Sequence, residues 1–294
     1  MRIDAHHHLW DLSAVHYPWL MAKGARRFFG DPAPIQRNYP LEDFRADARG
    51  FGASVHIQVG AEDAFAEASW VQDVADANPD WPMAQVAFAD LASDRLGMEL
   101  DRMQELPSVR GVRQIVGRAP EEDMATGTND LLDDPRFVNG LREVGRRGLS
   151  FDLQLIPELY GAMADVLSDV PGTRVALCHA GSPHDRTPEG LTAWTGELGR
   201  LSGLPQVSVK LSGLGMFEHD WTKGSVQPIV EACLDQFGAA RCMFGSNFPV
   251  DSLYSDYRAI VEAYESLVPD EAKPAVFGVT AAAFYGLGET RGEA

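Results

Sequence analysis

Short apolar runs recur eight times along the chain, and each is followed by a stretch with helical spacing. The runs at 2–8, 54–59, 84–89, 111–116, 150–155, 174–180, 207–212 and 242–247 read as strands. Helices are expected at 41–50, 63–77, 93–106, 191–201 and 226–237, with one ending near 148 after a polar loop at 117–134. Pro157 opens another, at a first-turn position where its missing N–H costs nothing, and two C-terminal helices cover 254–267 and 272–285. Strands that alternate with helices form a parallel sheet, because a parallel neighbour is reached only through a crossover. Eight such units predict an α/β fold, the (β/α)8 TIM barrel. A doubly wound open sheet is the competing layout, and a glycine-rich turn after its first strand would mark it. None is present, and Gly213-Leu214-Gly215 lacks both a third glycine and a following helix. The expectation is one barrel domain over 1–294, with 9–40 as an insertion that covers the mouth.

Composition narrows the function classes. Acidic residues outnumber basic ones 43 to 25, the net charge is −18, and no basic stripe occurs, which argues against nucleic acid and anionic membranes as partners. No apolar run reaches the roughly 18 residues of a membrane span. The three cysteines, Cys178, Cys233 and Cys242, are odd in number and form no Cys-x-x-Cys, so free thiols in a reducing compartment are expected. Without a signal-peptide pattern at the start, the expectation is a cytoplasmic enzyme, monomer or homodimer, acting on a small molecule that is anionic or hydroxylated.

In a barrel, chemistry sits at the C-terminal ends of the strands. The first strand carries Asp4-Ala5-His6-His7-His8. Strand alternation places Asp4, His6 and His8 on one face and Ile3, Ala5 and His7 on the other. The other strand ends supply Gln58 with His56 one step deeper, Arg113, Asp152 and Gln154, His179, Lys210 and Ser212, then Ser246 and Asn247, with Asp251 just beyond. Taken singly, each has a plain structural explanation. His56 suits a packed core histidine, Asp152 could only orient Arg113 or Lys210, His7 points outward, and His184 and His219 suit solvated loops. Trp10, Tyr17, Trp19 and Trp221 could cover the core, or could meet the apolar face of a sugar ring. Taken together they point to a site, because interior polar groups are costly unless paired or used.

Asp4-x-His6-x-His8, His179-Ala180-Gly181-Ser182-Pro183 and Met243-Phe244-Gly245-Ser246 resemble the amidohydrolase superfamily. The opening 4–11, then Tyr17-Pro18-Trp19-Leu20, Gly111-Val112-Arg113 and Lys210-Leu211-Ser212-Gly213-Leu214, is similar to its lactonase-like branch of L-fuconolactonases, L-rhamnonolactonases and pyrone dicarboxylate lactonase. The resemblance implies a distorted barrel in which activated water opens a small sugar-acid lactone or similar cyclic ester, within carbohydrate metabolism. It implies that His6, His8 and His179 hold a divalent metal such as zinc or polarise the carbonyl. Arg113 and Lys210 would then hold a carboxylate or oxyanion. Trp19, Gln58, Asp152, Gln154, Ser212 and Trp221 would face the substrate. Family members usually end the eighth strand in an aspartate that activates the water. Here Asn247 stands in its place, and a neutral amide cannot take a proton. Metal binding is therefore expected to be weak or absent. The base is sought in Asp251, His56 or His179, with Asp251 as the cap of a helix starting near 252–254 as the alternative role. The segment 9–40 is expected to bring Trp19, Arg26 or Arg27 over the mouth. Rival readings are a metal-dependent decarboxylase of the same superfamily and an inactive barrel that binds a small anion.

Overall fold

The computed structural model describes residues 1–288, the side chain of residue 125 excepted. Eight parallel strands form one sheet in chain order: β1 Ile3–His7, β2 Ala53–Ile57, β3 Met83–Phe88, β4 Val109–Ile115, β5 Ser150–Gln154, β6 Val175–Leu177, β7 Val207–Leu211 and β8 Cys242–Phe244. The sheet curls into a nearly closed barrel. Just past the strand ends, two 2.7 Å backbone hydrogen bonds bridge the seam, His8 N–H to the Phe248 carbonyl and Asn247 N–H to the His6 carbonyl. That bridging sets Asn247 beside His8.

Inside the barrel, Ile3, Ala5, Val55, Ile57, Val86 and Met243 pack in one apolar cluster with Phe284 and Tyr285. The last two come from the helix Thr280–Tyr285, which closes the N-terminal end of the barrel. Apolar filling below leaves the polar residues only the upper end, and that gradient positions the site.

β1 departs from simple alternation. Asp4 pairs with Ser54, but His7 pairs with His56, so β1 carries one extra residue between them. A bulge of this kind re-aims side chains. Asp4 Oδ1 accepts from the backbone N–H groups of His6 and Ser246, both at 3.0 Å, and Oδ2 accepts from the Tyr257 hydroxyl. Asp4 therefore faces the helix layer rather than sharing the inner face with His6 and His8. His7 faces outward as expected and stacks on Phe44 with ring centroids 3.8 Å apart.

β6 and β8 are shorter than their apolar runs suggest. After each, the backbone leaves the strand through left-handed conformations: His179 has φ 55°, Ala180 51°, Ser182 58° and Asn247 56°. Such values are uncommon for residues with a Cβ and cluster at functional sites. The polar loop at 117–134 contains a helix, Pro120–Thr126, and a 3₁₀ segment, Thr128–Asp133. The helix expected from 254 begins at Tyr257, where the Asp256 side chain accepts from Ala259 N–H at 2.8 Å. Asp256, not Asp251, is thus its cap.

Candidate active site

A cavity of about 310 Å³ opens at the C-terminal end of the barrel. His8, Trp19, Gln58, Arg113, Gln154, His179 and Asn247 line it, as does Arg27 from the 9–40 segment, while Arg26 is exposed. Phe28 and Phe29 form the rest of the cover. Phe28 stacks on Phe217 from the loop after β7, and the Tyr254 hydroxyl donates to the Phe29 carbonyl at 2.5 Å. Trp19 is tied down by its indole N–H, which donates to the Val59 carbonyl.

A histidine cluster lies at and behind the floor. His6 lies against His179 with ring centroids 4.5 Å apart and against His8 at 5.2 Å. All three are buried, and burial is the first cause that pushes their pKa values down, His8 to about 3 and His6 and His179 well below the ordinary imidazole range. They are neutral at pH 7. His8 Nδ1 lies 2.8 Å from the Ile57 carbonyl, which only accepts, so that nitrogen carries the proton and Nε2 carries the lone pair. His8 Nε2 faces Asn247 Oδ1 at 3.2 Å, and Asn247 Nδ2 donates to Asp251 Oδ1 at 2.9 Å. His179 Nδ1 is 3.0 Å from the Ser212 hydroxyl.

Guanidinium groups supply the positive charge. Arg113 donates to the Gln154 side-chain oxygen and, at 3.4 Å, to the Gln58 carbonyl. Arg118, on no sequence-level shortlist, also lines the cavity, and it shares the Glu122 carboxylate with Arg27 at 2.9 and 2.8 Å. Arg113 Nε and Arg118 Nε are buried donors without a protein partner, and Gln58 Oε1 is a buried acceptor without one. Each such group is costly unless a ligand or water satisfies it. The Gly117-Arg118 pair directly after β4 was the available signal for the missed arginine, since loops after barrel strands build the mouth.

Several expected residues lie elsewhere. Lys210 and Asp152 form a fully buried ion pair at 2.5 Å, and the Tyr285 hydroxyl bonds both Asp152 oxygens at 2.9 Å. Their mutual attraction and the plugging helix hold them beneath the cavity, so neither lines it, and Asp152 does not orient Arg113. Ser212 sits behind His179, and His6 behind the cavity wall. Trp221 borders a separate chamber of about 10 Å³ next to Asp251. Asp251 is buried behind Asn247, and burial pushes its carboxyl up to about 7. His56 belongs to the helix layer: its Nδ1 accepts from Leu9 N–H, and Nε2 is 3.5 Å from Glu67. That placement removes it from the candidate bases. His184 pairs with Glu158, and His219 stacks on Tyr254, both outside the cavity.

A resident divalent metal was tested against this donor set. In its favour, both ring nitrogens of His6 are buried and unpartnered. Against it, Nδ1 of both His8 and His179 is engaged, and Asn247 stands between the site and Asp251. Among the described residues no three His, Cys, Asp or Glu side chains are arranged to hold an ion. A catalytic zinc site needs three protein ligands converging on one point. The side chains as arranged do not fit one.

A family model described as amidohydrolase matches residues 3–287. The chain belongs to the amidohydrolase family. Among similar relatives, the protein y4mH of Sinorhizobium fredii is 35% identical, with 96% of this chain and 97% of that protein covered. L-fucono-1,5-lactonase of Burkholderia multivorans is 30% identical, with 98% and 97% covered. A crystal structure of an amidohydrolase from Burkholderia multivorans with bound zinc superposes with a TM-score of 0.81 at 24% identity, covering 98% of this chain and 99% of that one. The family supports a hydrolase, and the solved structure shares the barrel. No helix among the described residues is long and apolar enough to cross a membrane.

Proposed function

We propose that the chain hydrolyses a small sugar-acid lactone or similar cyclic ester whose ring carries a negative charge or several hydroxyls. The observation that carries this reading is the meeting, in one covered cavity, of His8, whose Nε2 carries a lone pair, with the side chains of Arg113 and Arg118. The lactonase relative lends support from outside the structure.

In this reading His8 is the general base and His179 the electrophile. With the Ser212 hydroxyl donating to Nδ1, the His179 Nε2–H turns toward the lactone carbonyl. Water gives a proton to His8 Nε2 as its oxygen bonds to the carbonyl carbon, and the π electron pair moves onto the carbonyl oxygen. His179 and Arg113 donate to that oxyanion, a contribution of several kcal/mol in a dry site. The intermediate collapses, the ring C–O bond breaks, and the departing oxygen recovers the proton from His8. The product is an open hydroxy acid, which releases one proton to solvent. Arg118 and Arg27 hold an anionic or hydroxylated ring, and Trp19, Phe28 and Phe29 exclude bulk water. No step needs a metal ion.

The test is proton release from a panel of aldonolactones and carboxylated lactones, with wild type and His8→Gln compared. His8→Gln is expected to lower kcat by about 10²–10⁴-fold, the usual contribution of a positioned base. A barrel that only binds small anions would show lactone binding with no proton release.

A further inference from the structure

His8 Nε2 and Asn247 Oδ1 lie 3.2 Å apart as two acceptors, with no hydrogen between them. A buried chain runs from Asp251 through Asn247 and His8 to the Ile57 carbonyl, with separations of 2.9, 3.2 and 2.8 Å. Its three side chains are 4%, 2% and 6% exposed. The Ile57 carbonyl requires a proton on His8 Nδ1. Neutral His8 then presents its Nε2 lone pair to Asn247 Oδ1, which is also an acceptor. Burial opposes the alternative of charging the imidazole, since its pKa is pushed to about 3.

Two arrangements remove the conflict. In the first, the Asn247 amide turns over. Its Nδ2–H then donates to His8 Nε2, and its Oδ1 accepts from Asp251, which must carry a proton. In the second, Asp251 is ionised and holds the Nδ2–H. Oδ1 and His8 Nε2 then stand side by side on the cavity wall as two acceptors, and one water can donate a hydrogen to each. That water has its oxygen lone pairs free toward the cavity and its base already in contact. The nitrogen and oxygen of an amide are nearly isosteric, so the turn needs no repacking.

We propose that Asp251 is a positioning residue that acts through Asn247, its carboxyl deciding which end of the amide faces His8 and so whether His8 Nε2 is open to water. The proposal rests on the reading of His8 as the base, and it supplies what the missing strand-end aspartate leaves out. Protonated Asp251 caps the base. Ionised Asp251 uncovers it. The proton exchanged belongs to Asp251 and solvent, and the amide only turns.

The surroundings leave Asp251 free to titrate. From its own loop it faces Asn247 and Tyr254. From the loop after β7 it meets the Gly215 backbone and Trp221, and from the helix Tyr257–Leu267 it meets Tyr264. Arg186 acts on Tyr264, and no cation pairs with Asp251 among the described residues. On the far side of the amide, His8 is faced by Arg113 and by the histidines His6 and His56. Burial without a counter-charge holds the carboxyl near 7, where modest pH changes switch it.

The decisive experiment follows the substrate-free wild-type protein by NMR between pH 5.5 and 8.5, reading the Asp251 carboxyl carbon and the His8 side-chain nitrogens. The expected result is a step in the His8 Nε2 resonance with the same midpoint as Asp251, absent in Asp251→Asn, whose amide keeps the base capped at every pH. A His8 signal that stays flat, that moves with a different midpoint, or that moves equally in Asp251→Asn overturns the proposal. The coincidence of midpoints is read in wild type alone, so a variant that fails to fold does not block the test. It also uses no substrate, so a barren lactone panel would sink the hydrolase reading without touching this result. With an active lactone, kcat/KM should fall about tenfold per pH unit below the midpoint in wild type. In Asp251→Asn it should be roughly 10²-fold lower at pH 8 and flat with pH. A sloped profile in that variant would also overturn the proposal.

Discussion

At the scale of single residues, the proposed site brings neutral imidazoles together with charged guanidiniums. His8 and His179 are chemically alike, and their Nδ1 atoms meet different partners: the Ile57 carbonyl, which can only accept, and the Ser212 hydroxyl, which can donate or accept. Arg113 and Arg118 both keep a buried Nε without a protein partner. Arg118→Met should therefore raise KM for an anionic lactone by about 10-fold or more, as the loss of a charge-assisted hydrogen bond implies, and leave kcat nearly unchanged. Steady-state kinetics with a charged and a neutral lactone checks this, the neutral one moving little. The inner pair His6 and His8 was legible from strand alternation, and so was the amide where a carboxylate usually stands. Asp4 was misread because alternation assumes an unbroken strand, and nothing in a list of side chains announces a bulge. Lys210 and Asp152 were legible as interior residues, but which level of the barrel they occupy depends on Tyr285, more than seventy residues further along the chain.

At the scale of elements, the abrupt ends of β6 and β8 do the positioning. His179 turns into the cavity because the chain adopts left-handed backbone at 179 and 180, and Gly213 on the neighbouring β7 loop makes room for it. A Cβ at Gly213, whose φ is +64°, would sit 2.3 Å from His179 Nδ1. Gly213→Ala should destabilise the fold by roughly 1–2 kcal/mol from backbone strain and lower kcat beyond that loss by displacing the ring. Thermal melting and turnover per folded molecule, measured together, separate the two effects. The cover behaves as a strap pinned by Val59, Glu122, Phe217 and Tyr254. Tyr254→Phe removes one pin and is expected to raise KM a few-fold with little change in melting temperature. The eight strand–helix units were legible because apolar runs and helical spacing are local signals. The short helix in 117–134 and the late start at Tyr257 were not, since one depends on contacts made by a polar segment and the other on which of two aspartates finds a backbone N–H.

For the whole molecule, the buried titratable groups set how stability depends on pH. His6, His7, His8 and His179 are held well below the ordinary histidine range by burial, so the unfolded chain takes up protons there that the folded chain refuses. Asp4 and Asp251 act in the opposite direction, raised to about 6 and about 7, so the folded chain keeps protons that the unfolded one releases. Four histidines against two aspartates leave a net uptake on unfolding of about two protons near pH 5, and stability should rise with pH there by about 3 kcal/mol per unit. Across the unfolded histidine range the four histidines still outweigh Asp251, so the melting temperature should keep rising more gently through pH 7 and level off above about pH 7.5. Melting curves from pH 5 to 8 check both the slope and the position of the plateau. The donor set also predicts that prolonged dialysis against a chelator leaves turnover unchanged. The central claim, a hydrolase in which neutral His8 activates water against a ring held by arginines, is tested most directly by one titrimetric measurement at pH 8. Wild type, His8→Gln and Arg113→Met are each given a panel of small aldonolactones and carboxylated lactones, and acid release is recorded. The account predicts one proton per ring opened with wild type, at least a hundredfold loss with His8→Gln, and a raised KM with Arg113→Met. Acid release at the spontaneous rate across the whole panel, or full activity in His8→Gln, would contradict it.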